Sequence, residues 1–200
     1  MKKLLCEGAK TMDVSLNEEQ VKQLLDYHAL IHKWNKVYNL SAIRDPLESI
    51  KKHFLDSLSI LEFTKPGLLL DVGSGAGLPG IIIAIMKPKT NVFVIDSVGK
   101  KCRFMQTVKT ELGLENLTVI NDRVESFNYP ESFSQITSRA FASAIETVNK
   151  TKHLISNDGR YLLMKGDNIA QENIENMESK VHTLKVPFVS DKRSLLEIKI

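Results

Sequence analysis

Leu68-Leu69-Leu70-Asp71-Val72-Gly73-Ser74-Gly75-Ala76-Gly77-Leu78-Pro79-Gly80 is the stretch from which the fold of this chain can be read. It opens with an apolar run short enough to be a buried parallel strand. The run ends in an acid, glycines follow at 73, 75 and 77, and Ile81-Ile82-Ile83-Ala84-Ile85-Met86 continues as a helix. Glycine is required where the backbone turns with positive φ or approaches a ligand with no Cβ in between. A strand, a glycine turn and a helix N-terminus together predict a nucleotide pocket at the carboxyl end of the strand.

Two pockets fit these residues. Gly75-x-Gly77-x-x-Gly80 satisfies a dinucleotide fingerprint, with Asp96 at a suitable distance for a ribose contact. Asp71-x-Gly73-x-Gly75-x-Gly77, read a few residues earlier, resembles motif I of the class I S-adenosylmethionine (SAM) methyltransferases. The acid separates the two, because a carboxylate facing a pyrophosphate repels it, whereas SAM carries a sulfonium, an ammonium and no phosphate. SAM is therefore the expected cofactor. A Gly73→Val change is expected to fill space needed by its methionine while leaving the fold intact.

At 200 residues the chain suits one α/β domain with a small extension. No apolar run approaches the roughly 20 residues of a membrane span. Two cysteines, Cys6 and Cys102, point to neither a disulfide framework nor a metal cluster, so a reduced, cytoplasmic setting and no metal are expected. The net charge of +3 is modest, and its distribution is more informative. Between Lys87 and Lys109 six basic residues stand against one acid, Asp96. Such a stripe suits a phosphate backbone, although a solvated helix face gives the same pattern.

From the N-terminus, residues 1–14 read as a loose leader and Ser15-Leu16-Asn17-Glu18 as a capping box. Val21, Leu24, Leu25, His28, Ile31 and Tyr38 then recur at helical spacing. His28 and His32 have a metal-compatible spacing, but with no third ligand nearby they read as packing and surface residues. After the break at Asn39–Arg44, Asp45 and Pro46 start a second helix with Ile50, Phe54, Leu58 and Leu61 as its apolar stripe. His53, Asp56 and Ser57 lie off that stripe and read as structural hydrogen-bonding groups. Strands are predicted near 68–72, 91–95, 117–120, 133–137 and 159–164, and helices near 79–86, 98–112, 142–154 and 168–179. Two further strands, 181–188 and 194–200, form a terminal hairpin. The expected fold is a Rossmann-like α/β domain over 65–200, with a mostly parallel seven-stranded sheet and a helical extension over 1–64.

Several segments are similar to one family. Asn39-Leu40-Ser41-Ala42-Ile43-Arg44-Asp45-Pro46, His53-Phe54-Leu55-Asp56-Ser57, Asp71 to Gly80, Asp96-Ser97-Val98-Gly99-Lys100-Lys101 and Ser138-Arg139-Ala140-Phe141-Ala142-Ser143 resemble RsmG (GidB). The family modifies N7 of a guanine in 16S ribosomal RNA, and the resemblance runs from about residue 16 to the C-terminus in family order. It implies SAM contacts at Gly73, Leu78, Val124, Glu125 and Arg139. At Leu78 many members carry Phe, a change within the apolar class.

The residues themselves suggest roles beside that transfer. Gly73 and Gly75 let backbone approach the methionine end of SAM, and Asp71 either favours its ammonium or fixes the loop. Asp96, at the end of the second strand, can accept both ribose hydroxyls or precede the next helix as an N-cap. Arg139 follows the fourth strand among small residues, and is the candidate catalytic group at the rim between cofactor and RNA. Lys100, Lys101, Arg103 and Arg123 are candidates for gripping RNA, and Lys165 either approaches the pocket or caps its strand. Guanine N7 has an in-plane lone pair and no proton to lose, so the absence of a general base fits. The expected activity is SAM-dependent guanine-N7 methylation of 16S rRNA by a monomer, on the small ribosomal subunit or an assembly intermediate. The alternatives are methylation of another RNA, a protein or a small molecule, and non-catalytic sensing of SAM or RNA.

Overall fold

β1 (Gly67–Val72) runs through the middle of a seven-stranded sheet of order β3-β2-β1-β4-β5-β7-β6. The computed structural model describes residues 1–166 and 177–200. β2 (Thr90–Ile95), β3 (Leu117–Ile120), β4 (Phe133–Arg139) and β5 (Ile155–Lys165) lie parallel to β1. β7 (Arg193–Lys199) is antiparallel to β5, and β6 (Ser179–Leu184) completes the sheet beside it. The helix expected near 168–179 falls almost wholly outside the described residues. β6 stops at Leu184, short of the predicted 188, where Pro187 has no N–H for the ladder.

The central strands are apolar throughout because both faces are covered. Alternation then sends neighbours to opposite layers. Leu69, Val92 and Val94 join a core with α5 (Gly80–Met86) and α6 (Gly99–Leu112), whereas Leu70, Val72, Phe93 and Ile95 meet α7 (Ala144–Thr151) on the other side.

The front of the chain departs from expectation in three places. Residues 1–14 are not a loose leader: Lys2–Thr11 form α1. Leu5, Gly8 and Ala9 are its buried residues, a short i, i+3, i+4 stripe, and Glu7 and Lys10 point outward. α2 (Glu18–Tyr38) is capped by Asn17 and Gln20, two residues later than the predicted box, and ends at Asn39 in the left-handed region.

The second helix is the third departure. α3 (Pro46–Ser49), capped by Asp45 as predicted, runs into a π turn (Ile50–Leu55), then α4 (Asp56–Leu58) and a 3-10 turn (Leu61–Phe63). The Asp56 amide reaches back to Lys51 O, one residue further than in an α-helix. This widening turns His53, Asp56 and Ser57, expected off the apolar face, inward to 8%, 3% and 0% exposure. Leu5, Leu24, Tyr27 and Phe54 share one core with Ile81, Val92 and Phe104, so residues 1–64 have no separate core.

Candidate active site

The strand order reverses between β1 and β4, and in open α/β sheets that switch point leaves a crevice at the carboxyl ends of the strands. The loop after β1 crosses it. Gly73 and Gly75 take φ of +66° and +63°, a region open to glycine at little cost. Five amides of the loop are spent within the protein. Gly73 N and Ser74 N donate to Ile95 O at 3.0 and 3.2 Å, and Gly77 N and Leu78 N to Ser74 O at 2.8 and 3.0 Å. Gly75 N donates to Asp96 Oδ2 at 3.0 Å. A pyrophosphate cradle needs such amides unpaired and facing the ligand.

Asp71 is fully buried beneath this loop, and its Oδ2 accepts from Gly80 N at 2.9 Å. Burial pushes its carboxyl up to about 7. Of its two expected roles, the geometry displays the loop-fixing one. From the other side, Tyr27 of α2 donates its hydroxyl to Ala76 O at 2.6 Å, tying the helical front end to the glycine loop.

A first cleft of about 350 Å³ opens beside the loop, between the ends of β1, β2 and β3. Gly73, Asp96, Val124 and Glu125 line it, as does Phe141 of the β4–α7 loop. Asp96 offers its carboxylate at the end of β2, with Oδ1 accepting from Val98 N at 2.9 Å and Oδ2 from Lys101 Nζ at 3.4 Å. Ionised carboxylates carry about four acceptor positions, so capacity for a further donor remains. Glu125 pairs with Lys150 at 3.4 Å, and Lys150 also sits 5.5 Å from the Phe141 ring centre.

Other expected cofactor residues lie elsewhere. Asp71 and Leu78 are buried in the core and do not line this cleft, and Gly75 is linked to it through Asp96. The space beside Gly73 belongs to Phe141: a Cβ there would stand 2.4 Å from Cδ2 of the ring. Gly73→Val therefore disturbs the loop and ring before it meets any ligand, which corrects the simple filling expected from sequence.

A second cleft of about 420 Å³ adjoins the first, with Ala140 in the wall of both. Arg139 lines this second cleft rather than the first. Three groups of the π turn region hold its guanidinium. Nη1 donates to Lys52 O at 3.1 Å and to Asp56 Oδ2 at 3.3 Å, and Nη2 lies 3.2 Å from His53 Nδ1. His53 Nδ1 also lies 3.1 Å from Lys52 O, and its Nε2 lies 2.6 Å from Ser41 Oγ, so the ring is held on both edges. Burial, helped by Arg139, lowers the pKa of His53 to about 4. Asp56 also meets Arg193, with Nε 3.2 Å from Oδ1.

The candidate RNA-gripping residues stand in three places. Lys100 and Arg103 are exposed on α6. Lys101 is drawn to Asp96, and Arg123 lines the first cleft. Lys165 lines the second cleft and donates to Ala142 O at 2.9 Å. Tyr27, Phe141, Lys150, Lys52 and Arg193 were given no role from sequence. Phe141 stood inside a quoted segment; the others carry no local signal. His28 donates to Pro46 O rather than to a metal, and no cluster of three metal-ligating side chains occurs among the described residues.

The sheet order, the glycine loop and the cleft at the end of β2 define a Rossmann-like methyltransferase fold. A SAM dependent methyltransferase from Aquifex aeolicus superposes with a TM-score of 0.62 at 14% identity, over 81% of this chain and 97% of that one. Residues 20–196 match the GidB family, rRNA small subunit methyltransferase G, and the chain belongs to that family. The ribosomal RNA small subunit methyltransferase G of Ruthia magnifica is 51% identical over 193 residues, covering 96% of this chain and 95% of the relative. That of Pseudomonas fluorescens is 46% identical over 200 residues, covering 98% and 93%.

Proposed function

We propose that this chain transfers a methyl group from SAM to N7 of a guanine in 16S ribosomal RNA, with SAM in the first cleft and the acceptor approaching from the second. The observation that carries the reading is the sharing of Ala140 between a cleft with the Asp96 carboxylate and a cleft lined by Arg139. Membership of the rRNA methyltransferase family supports it.

The residues of the first cleft suit the cofactor. Asp96 retains acceptor capacity for a ribose hydroxyl, and Val98 and Val124 provide apolar walls for a purine. Five glycine-loop amides are already bonded, which disfavours a dinucleotide and is indifferent to a phosphate-free ligand. When bound, SAM supplies an electrophilic methyl on a sulfonium. The protein's part is to hold the acceptor nitrogen in line with that methyl and to exclude water, and such positioning is worth roughly 7–11 kcal/mol. No proton has to be removed from N7. His53 and Asp56 are accordingly free to serve as holders of Arg139, which orients the acceptor from the rim and does not touch the reacting atoms.

N7 of an A-form helix lies in a groove too deep and narrow for this site, so the target is an unpaired or splayed-out guanine. The substrate is the small ribosomal subunit or an assembly intermediate, met in the cytoplasm by a monomer. Small subunits incubated with the protein and isotopically labelled SAM should carry label at one guanine N7, located by nuclease digestion and mass spectrometry. Label on another base, on a protein or nowhere overturns the proposal. Arg139→Ala should abolish transfer while retaining SAM affinity, and Arg139→Lys should restore it only in part, lacking the planar fork.

A further inference from the structure

The second cleft has a rim that the reading above does not explain. Lys52, Arg139, Lys165 and Arg193 line it from four separate parts of the chain, with Asp56 the one carboxylate among the described lining residues. Asp56 lies at the base and is 3% exposed, between Arg139 and Arg193. Further out, a single oxygen, Asp191 Oδ2, stands 3.8 Å from Lys52 Nζ and 3.4 Å from Arg193 Nη2. The Asp191 side chain is 49% exposed, so its pairs are wet and weak. Lys52 Nζ also reaches Glu48 Oε2 at 3.6 Å on its own helical segment, but Asp191 Oδ2 is the carboxylate oxygen shared by both cations, in the place where an incoming anion would receive both.

Resting on the proposed RNA methylation, we propose that the second cleft receives the target guanosine as an unstacked nucleotide, and that Lys52 and Arg193 take its backbone phosphate in exchange for Asp191. Beneath this rim, Ile43, Ala142, Met164 and Leu184 supply apolar wall for a base, and Arg139 stands toward the shared Ala140. A phosphate oxygen makes charge-assisted hydrogen bonds to a guanidinium and an ammonium at once. Because the displaced carboxylate is exposed, it regains full hydration on release. The buried Asp56 stays in place and keeps Arg193 and Arg139 at a fixed separation. The arrangement discriminates for an anionic acceptor: a neutral methyl acceptor has no means of displacing Asp191.

The test uses small ribosomal subunits and the full chain, with Lys52→Gln and Asp191→Asn, both at exposed or half-exposed side chains where folding is not at risk. Binding is measured across a salt series, with SAM affinity and steady-state methylation followed in parallel. Lys52→Gln should flatten the logarithmic salt dependence by about 0.7, the value of one phosphate contact on a single strand. It should raise KM while leaving kcat near wild type. Asp191→Asn should do the opposite and tighten binding on the order of threefold, since it removes the carboxylate that the two cations share. SAM affinity should not move in either. A wild-type salt slope in Lys52→Gln, or binding by Asp191→Asn no tighter than wild type, overturns the assignment of the rim. A wild-type protein that fails to methylate subunits overturns the reading beneath it instead.

Discussion

Arg139 Nη1 sits 3.3 Å from Asp56 Oδ2, although 83 positions separate the two in the chain. The contact joins the end of β4 to the turn that follows the π segment, and brings the helical front end into the wall of the second cleft. Asp56 is shared with Arg193 at the start of β7, so one buried carboxylate fixes two guanidiniums.

Breaking that arrangement leaves partly buried Arg139 without its carboxylate and Arg193 with only the exposed Asp191. Asp56→Ala should cost about 3–5 kcal/mol of stability, the usual range for removing one partner of a buried pair. Asp56→Asn should cost less, because the amide oxygen still accepts one hydrogen bond. Both should slow methyl transfer with SAM affinity near wild type. Denaturant unfolding and single-turnover methylation check this, and fast turnover in Asp56→Ala would show that Arg139 needs no holder.

Gly73 and Gly75 should respond differently to a methyl group. Each has positive φ, which costs a non-glycine residue about 1–2 kcal/mol. At Gly75 the nearest atom to an added Cβ is Gly73 O at 3.9 Å, so Gly75→Ala meets backbone strain alone. At Gly73 the Phe141 ring stands in the way as well. Gly73→Ala should therefore be worse for stability and SAM affinity, and Phe141→Ala should relieve part of the loss in the double variant. The coupling should fall in the range of about 0.5–3 kcal/mol expected of touching residues. Strict additivity in calorimetry and unfolding would contradict the contact.

Tyr27→Phe removes the hydroxyl that supports Ala76 O and leaves that carbonyl without its partner. The cost should be about 1–3 kcal/mol. Because the bond ends on the glycine loop, SAM affinity should weaken as well, although Tyr27 lies on α2 and outside the cleft. Isothermal titration of SAM is the check. Unchanged affinity with lowered stability would confine Tyr27 to the core.

The buried histidine gives a pH signature. His53 titrates near 6.5 when unfolded and at about 4 when folded, so between those values the unfolded chain binds more protons. Its contribution is complete above pH 6.5 and is lost as pH falls toward about 4, on the order of 3 kcal/mol in all. Asp71 acts with opposite sign in an overlapping window: its folded pKa is raised to about 7, so stability from it is lost as pH rises through that value. Total stability thus mixes the two, and the difference between wild type and His53→Gln isolates the histidine. Glutamine can accept from Arg139 without titrating. The wild-type advantage should shrink between neutral and mildly acid pH in urea unfolding; a constant difference would remove His53 as the source.

Much of this architecture was legible without coordinates. The strand–glycine–helix unit at 68–86, the parallel order that follows it and the terminal hairpin rest on periodicity and glycine placement, which neighbouring residues determine among themselves. Asp96, Val124 and Glu125 fall at strand ends, and strand ends of a parallel sheet converge on one edge; their shared cleft follows from topology. Family membership was also readable, because it resides in short segments quoted in order.

What only the tertiary structure decided lies in contacts between distant segments. Whether residues 1–14 fold depended on Leu5 and Ala9 finding a core that their own segment cannot supply. The π turn shifts His53 and Asp56 inward by a change in helical pitch, which no apolar stripe at α-helical spacing can anticipate. Local patterns specify where a strand or helix forms, since hydrogen bonding and burial of one face are settled within a few residues. Which side chains then meet across the cleft, as Arg139 meets Asp56 and Phe141 fills the space beside Gly73, is settled by sheet register and layer packing. Those distances exist only once the whole chain has closed.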